Sequence, residues 1–258
     1  MGFIDHLMEL RKRLWISVLA VVVCMGLALF YYEIIFDLLR GPLDDINNGY
    51  RKRADYAEIL EKLHLPAGSD ILPFTSITML GTMMMVMWLG IGAGLVLSSP
   101  VLVYEVWAFV SPGLHTQEKR AVRPILYGGI IFFLIGCVIA YFILFPVTLQ
   151  FVVWLDVKLK VRPSYTVDDY MSLLLNMMLI SGLICETPLV VAVLAKLKIV
   201  KPSYLTRYWR PCVLAAFIFG SLLSPGTDVI SMLVFSTLLL SIYIISVLMA
   251  YVFYPKDA

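Results

Sequence analysis

Charge is scarce in this chain: Asp, Glu, Lys and Arg together make up 15% of its 258 residues, where a soluble domain carries about 25%. Histidine is nearly absent, and its three copies, His6, His64 and His115, all fall outside the long apolar runs. No HExxH pair, GxSxG elbow, Walker A loop or dinucleotide loop occurs. An intramembrane protease or an ATP-driven pump would therefore lack its machinery, so the chain is not expected to be an enzyme. No cofactor and no metal is expected either. The four cysteines, Cys24, Cys137, Cys185 and Cys212, form no CxxC pair and sit within or beside apolar runs. They read as small buried apolar residues rather than a disulfide or zinc framework. A net charge of +2, with no basic block interleaved by aromatics, argues against nucleic acid as a partner.

What remains is hydrocarbon. Hydrophobic residues make up 61% of the chain, and the mean hydropathy is +0.91. Apolar runs near the ~20 residues of a spanning helix point to lipid as the solvent. Six spans are expected, at about 14–36, 77–101 with an extension to 110, 122–154, 170–194, 211–223 and 229–253. The first follows a basic cluster like a signal peptide, but it runs on without a cleavage site and reads as retained. The fifth is short for a crossing and would thin the bilayer locally. The whole chain reads as one all-α transmembrane domain, with a cap loop over residues 39–76 and a helix-like stretch over 50–63. Gly90, Gly94 and Ser98 form a stripe of small residues that lets another helix approach closely. Pro100, Pro146 and Pro188 each remove a backbone donor, which suggests a bent, concave bundle.

Orientation follows from the basic residues. With the N-terminus inside, the inner segments hold residues 11–13, Lys119, Arg120, Arg123, the basic residues between 196 and 210, and Lys256. That is twelve against eight outside, with the inner clusters tight against span ends. Both termini are then expected to be cytoplasmic. Residues 1–13 make an amphipathic helix, with Phe3, Leu7, Leu10 and Leu14 on one face and His6, Glu9 and Arg13 on another.

Four places could carry chemistry. Spacing alone makes Glu9 an ion-pair partner for Arg13, four residues on. Tyr104, Trp107 and Phe109 suit a membrane interface, Ser111-Pro112-Gly113 makes a turn, and Glu118 opens a helix whose dipole favours a carboxylate. Glu186 lies within the fourth span, where a charge costs roughly 2.5–3.5 kcal/mol on insertion scales. It should face protein or water, as a proton or ion site, a handle for a partner helix, or a structural hydrogen bond. Asp228, in the turn Ser224-Pro225-Gly226-Thr227-Asp228, can cap the sixth span.

These residues resemble a known family. His6-Leu7-Met8-Glu9-Leu10-Arg11-Lys12-Arg13-Leu14 is similar to the opening motif of the TatC family of twin-arginine (Tat) protein translocases. So is the block from Pro100 through Tyr104-Glu105-Val106-Trp107-Ala108-Phe109-Val110-Ser111-Pro112-Gly113-Leu114 to Glu118-Lys119-Arg120. The Glu186-Thr187-Pro188-Leu189 step, the turn from Ser224 to Asp228 and the outer-loop proline Pro42 match later landmarks. The resemblance implies the core receptor of a pathway that exports folded proteins, driven by the proton gradient. Its partners would be twin-arginine signal peptides, single-span subunits of the TatA and TatB type, membrane lipid, and further copies of itself in a receptor complex. It implies that Glu9 and Glu118 contact the signal peptide, with Arg11, Lys119, Arg120 and Phe109 beside them. Glu186, Ser224 and Met232 would form a patch for partner helices, and Pro42, Pro112, Gly113 and Asp228 would be structural. The apolar segment of the signal peptide could lie along the small-residue face of the second span. Without a transit peptide, the location implied is a bacterial inner membrane.

The chain departs from the family pattern in its sixth span. Ile242-Tyr243-Ile244 lacks the usual acidic residue, Leu238 stands near a usual proline, and Met232 replaces a common glutamine. Two other readings compete: a proton-coupled transporter of small solutes using Glu186, and a structural scaffold.

Overall fold

The computed structural model describes residues 3–66, 68–72, 74–75, 80–110, 116–161, 165–224 and 229–254; for 3–6, 74–75, 110 and 116–127 it describes the backbone only. Apolar runs with few breakers become helices because each helix satisfies its own backbone polar groups, as lipid demands. Five helical stretches are long and apolar enough to cross a membrane: Leu7–Phe30, Gly81–Phe109, Gly128–Leu159, Val167–Lys196 and Val229–Phe253. The shorter apolar helix Trp209–Leu223 supplies a sixth.

The first helix, α1 (Phe3–Phe30), runs without interruption from the amphipathic segment into the span. Its 28 residues give a length of about 42 Å, against a hydrocarbon core of about 30 Å. One end must therefore project into the interface, and Glu9 lies on that N-terminal portion. After a break at Tyr31, α2 (Tyr32–Arg51) continues into the loop, and a short α3 (Tyr56–Lys62) follows. The helix-like stretch over 50–63 is thus divided, because a turn over 52–55 separates the two helices.

Pro42 lies inside α2, buried, rather than in an open loop. Its ring nitrogen cannot donate to the carbonyl of Leu38 four residues back. The Tyr141 hydroxyl donates to that carbonyl instead, at 2.6 Å. Gly41 makes room, since a Cβ there would lie 2.5 Å from the same hydroxyl oxygen. The Tyr170 hydroxyl donates to the Leu39 carbonyl at 2.9 Å. Two tyrosines thus bind the cap to the bundle.

The remaining elements are α4 (Gly81–Val110), α5 (Thr116–Ile139), a π-helical turn (Ala140–Leu144), α6 (Phe145–Leu159), α7 (Val167–Cys185), α8 (Thr187–Lys196), α9 (Pro202–Arg207), α10 (Trp209–Leu223) and α11 (Val229–Phe253). Two short strands, β1 (Phe74–Thr75) and β2 (Tyr165–Thr166), pair in parallel and join the loops after α3 and α6. The π-helical turn sits just before Pro146, where a donor is missing.

Helix association in lipid relies on close packing rather than on the hydrophobic effect, and glycines set the closest approaches here. A Cβ on Gly94 would lie 2.8 Å from the Met25 Cα, and one on Gly136 would lie 2.6 Å from the Ser181 carbonyl oxygen. The main contacts run α1 to α4, α4 to α7, α7 to α5, α8 to α11 and α11 to α10. The result is an open row of helices with α1 and α10 at its ends. α7 gives way to α8 at Glu186, two residues before Pro188.

Candidate functional site: an ion triad beside an apolar groove

Helices α1 and α4 pack antiparallel. Arg13 meets Glu105, Met25 meets Gly94 and Leu29 meets Gly90, so the paired residue numbers rise on one helix as they fall on the other. This register carries the N-terminal part of α1 toward the C-terminal end of α4. Arg13 stands at the crossing. It donates from Nη1 to a Glu105 carboxylate oxygen at 3.1 Å. Its Nη2 lies 3.6 Å from a carboxylate oxygen of Glu9, within ion-pair range but beyond a good hydrogen bond. The Glu105 side chain is 7% exposed and that of Glu9 is 20% exposed. The Arg13 Nε is buried and has no acceptor among the described residues.

The pairing of Glu9 with Arg13 follows the spacing of four. Glu105 is the member that sequence reasoning passed over. It stood inside the aromatic motif with no spacing to mark it, although an acid near the end of an apolar span is costly without a cation. Two basic neighbours differ from Arg13: Arg11 and Lys12 are both exposed. Phe109 is half-buried near the end of α4. Glu118, Lys119 and Arg120 lie in the first turns of α5, and their side chains are outside the described residues. Pro112, Gly113 and Asp228 also lie outside them.

The opposite face of α4 borders a groove of about 550 Å³. Leu95, Ser99, Leu102 and Val106 line it from α4, facing Leu183 and Val190 across it. Pro100 lies inside α4 and Pro188 takes the second position of α8, two of the helices that line the groove. Glu186 is the one ionisable residue in its described lining. That residue ends α7 and begins α8 with φ −77° and ψ −15°. Its carbonyl accepts from the amides of Leu189 at 3.0 Å and Val190 at 3.1 Å. Half-buried, it faces this groove instead of sitting in an unbroken helix.

One expectation changes here. The small-residue face of α4 is filled by α1, with the Leu29 side chain over Gly90 and the Met25 backbone over Gly94. It cannot take a peptide, and the apolar groove lies on the other side of the helix. Ser224 and Met232 are not among the described residues that line this groove with Glu186. The described lining of the groove comes from α4, α5, α7 and α8, whereas Ser224 ends α10 and Met232 belongs to α11. The altered Ile242-Tyr243-Ile244 step has its own use, since the Tyr243 hydroxyl donates to the Leu205 carbonyl at 2.6 Å and ties α11 to α9.

The family model for the Sec-independent protein translocase protein TatC matches residues 5–237. The translocase protein TatC of Aquifex aeolicus is 30% identical over 248 residues, covering 96% of this chain and 93% of that protein. The one from Desulforapulum autotrophicum is 32% identical over 255 residues, covering 98% and 86%. A crystal structure of the twin-arginine translocase receptor TatC superposes with a TM-score of 0.74 at 29% identity, covering 96% of this chain and 98% of that one. A multi-pass bundle of apolar helices, with Glu9, Arg13 and Glu105 brought together where α1 packs on α4, therefore belongs to a component of the twin-arginine protein translocation system: the chain is a member of the TatC family.

Proposed function

We propose that the chain reads the paired arginines of export signals at the cytoplasmic face of a bacterial inner membrane. It then recruits single-span partner subunits so that folded cargo crosses, driven by the proton gradient. The observation that carries this reading is the triad of Glu9, Arg13 and Glu105. Two carboxylates share one guanidinium, so the cluster keeps one negative charge for an incoming cation. Glu118, at the start of α5, adds a third carboxylate at a helix end whose dipole favours negative charge. A guanidinium meets a carboxylate through two parallel hydrogen bonds, which an ammonium cannot reproduce. Each hydrogen bond to a charged group contributes roughly 1.5–3 kcal/mol, enough to separate twin-arginine from twin-lysine signals.

The groove suits the apolar segment that follows the arginines. It starts on α4 at Val106 and Trp107, next to Glu105 in sequence, and runs back along that helix. Glu186, Ser224 and Met232 serve the partner helices. Solute transport coupled to Glu186 is less favoured, because Glu186 is the one ionisable group in the described lining and no sequence repeat pairs it with a second half.

Crosslinking tests the reading. With partner subunits present, a photoreactive group beside the paired arginines of a signal peptide should crosslink to positions Glu9 and Glu118, and its twin-lysine counterpart should not. Glu118→Ala should stop export while the chain still inserts normally. Absence of both crosslinks, or undiminished export by the variant, would refute the proposal.

A further inference from the structure

We infer that Glu105 is a positioning residue for the signal site: it holds Arg13 so that the Glu9 carboxylate stays open to a guanidinium from outside the chain. This deepens the receptor reading and rests on it.

The asymmetry of the triad carries the inference. Arg13 makes its hydrogen bond to Glu105 at 3.1 Å and lies at the longer 3.6 Å from Glu9. The more tightly held carboxylate is also the more buried, 7% exposed against 20%. A buried carboxylate needs its cation far more than an interfacial one does, so Arg13 belongs chiefly to Glu105. The guanidinium is not saturated. One terminal nitrogen serves Glu105, the other points toward Glu9, and Nε is buried with no acceptor among the described residues. Arg13 therefore has room to move onto Glu105 alone when a second guanidinium arrives at Glu9.

Removing the charge at position 105 reverses the balance. Glu9 and Arg13 stand four residues apart on one helix, with the acid toward the N-terminus, the favourable order for such a pair. Released from Glu105, Arg13 closes onto Glu9, and a signal arginine must displace it. The helix packing of α1 on α4 rests on Gly90 and Gly94, not on this ion pair, so the two roles can be separated.

The experiment compares capture of a twin-arginine signal peptide by the full chain, with partner subunits present, in membrane vesicles. Glu105→Gln keeps the shape and a hydrogen-bond acceptor but removes the charge, and should weaken capture roughly tenfold, in the range for directly coupled residues. Adding Arg13→Gln to that variant removes the competitor and should bring capture back to within about threefold of wild type. A part that only packs would not be rescued by a second loss. If Glu105→Gln captures like wild type, or the double variant stays as weak as the single one, the inference is wrong while the receptor reading stands. If wild type captures no twin-arginine peptide, the receptor reading fails and takes this inference with it. Should Glu105→Gln fail to insert, Glu105→Asp replaces it. Its shorter reach should weaken capture severalfold, again reversed by Arg13→Gln, and the lack of reversal overturns the inference.

Discussion

Asn47 shows how single polar side chains hold the cap in place. It is 5% exposed, and its Oδ1 accepts from the Leu72 amide at 3.1 Å. The segment before β1 is thereby pinned to α2 across 25 residues of sequence. Asn47→Ala would leave that buried amide without an acceptor, a loss of about 1–3 kcal/mol. Thermal unfolding in detergent should show the drop, and an unchanged melting temperature would mean that water replaces the bond. At the same scale, Glu9 was legible from its spacing to Arg13, because helical geometry alone makes residues four apart neighbours. Glu105 was not legible as a partner. It lies 92 residues from Arg13, and no local rule links positions on different helices.

Helices in this bundle meet where side chains are smallest. The stripe of Gly90, Gly94 and Ser98 was readable as a contact face, but not which helix would use it. The antiparallel register of α1 decides that, and it leaves the groove on the other side of α4. The two glycines differ in what they face. A Cβ at Gly94 meets the Met25 Cα at 2.8 Å and its nitrogen at 2.9 Å, whereas one at Gly90 meets the Leu29 Cδ2 at 2.6 Å. A side-chain tip can rotate away, and a backbone cannot. Gly94→Ala should therefore destabilise by about 1–3 kcal/mol, clearly more than Gly90→Ala. Equal losses in unfolding measurements would show that α1 tilts to accommodate both. The break between α7 and α8 belongs to this scale too. Pro188 announced a disturbance, but Glu186 falls at the break itself, and the broken helix turns it toward the groove.

In the bundle as a whole, α1 and α10 lie at the two ends of the chain of helix contacts, and these ends differ. α10 has 15 residues, a length of about 22 Å, while the hydrocarbon core is about 30 Å thick. The bilayer should be thinnest beside it. Orientation is testable on the full chain in a cysteine-free background. Glu61→Cys, on the exposed face of α3, should react with a membrane-impermeant maleimide in intact cells. Lys201→Cys, just before α9, should react only after permeabilisation. Labelling of both from the same side would break the proposed topology, and with it the placement of Glu9 and Glu118 on one face.

Composition and hydropathy by themselves determined that the chain crosses lipid as helices, because an apolar run in hydrocarbon has no other way to satisfy its backbone. The order of motifs identified the family for the same reason that any local pattern is readable: it needs no knowledge of distant contacts. The tertiary structure alone decided that α1 covers the small face of α4, that the groove opens on the opposite face, and that Arg13 is shared between Glu9 and Glu105. Each of these depends on the register between helices far apart in sequence. That register is set by close packing of particular side chains, which no periodicity along one helix contains.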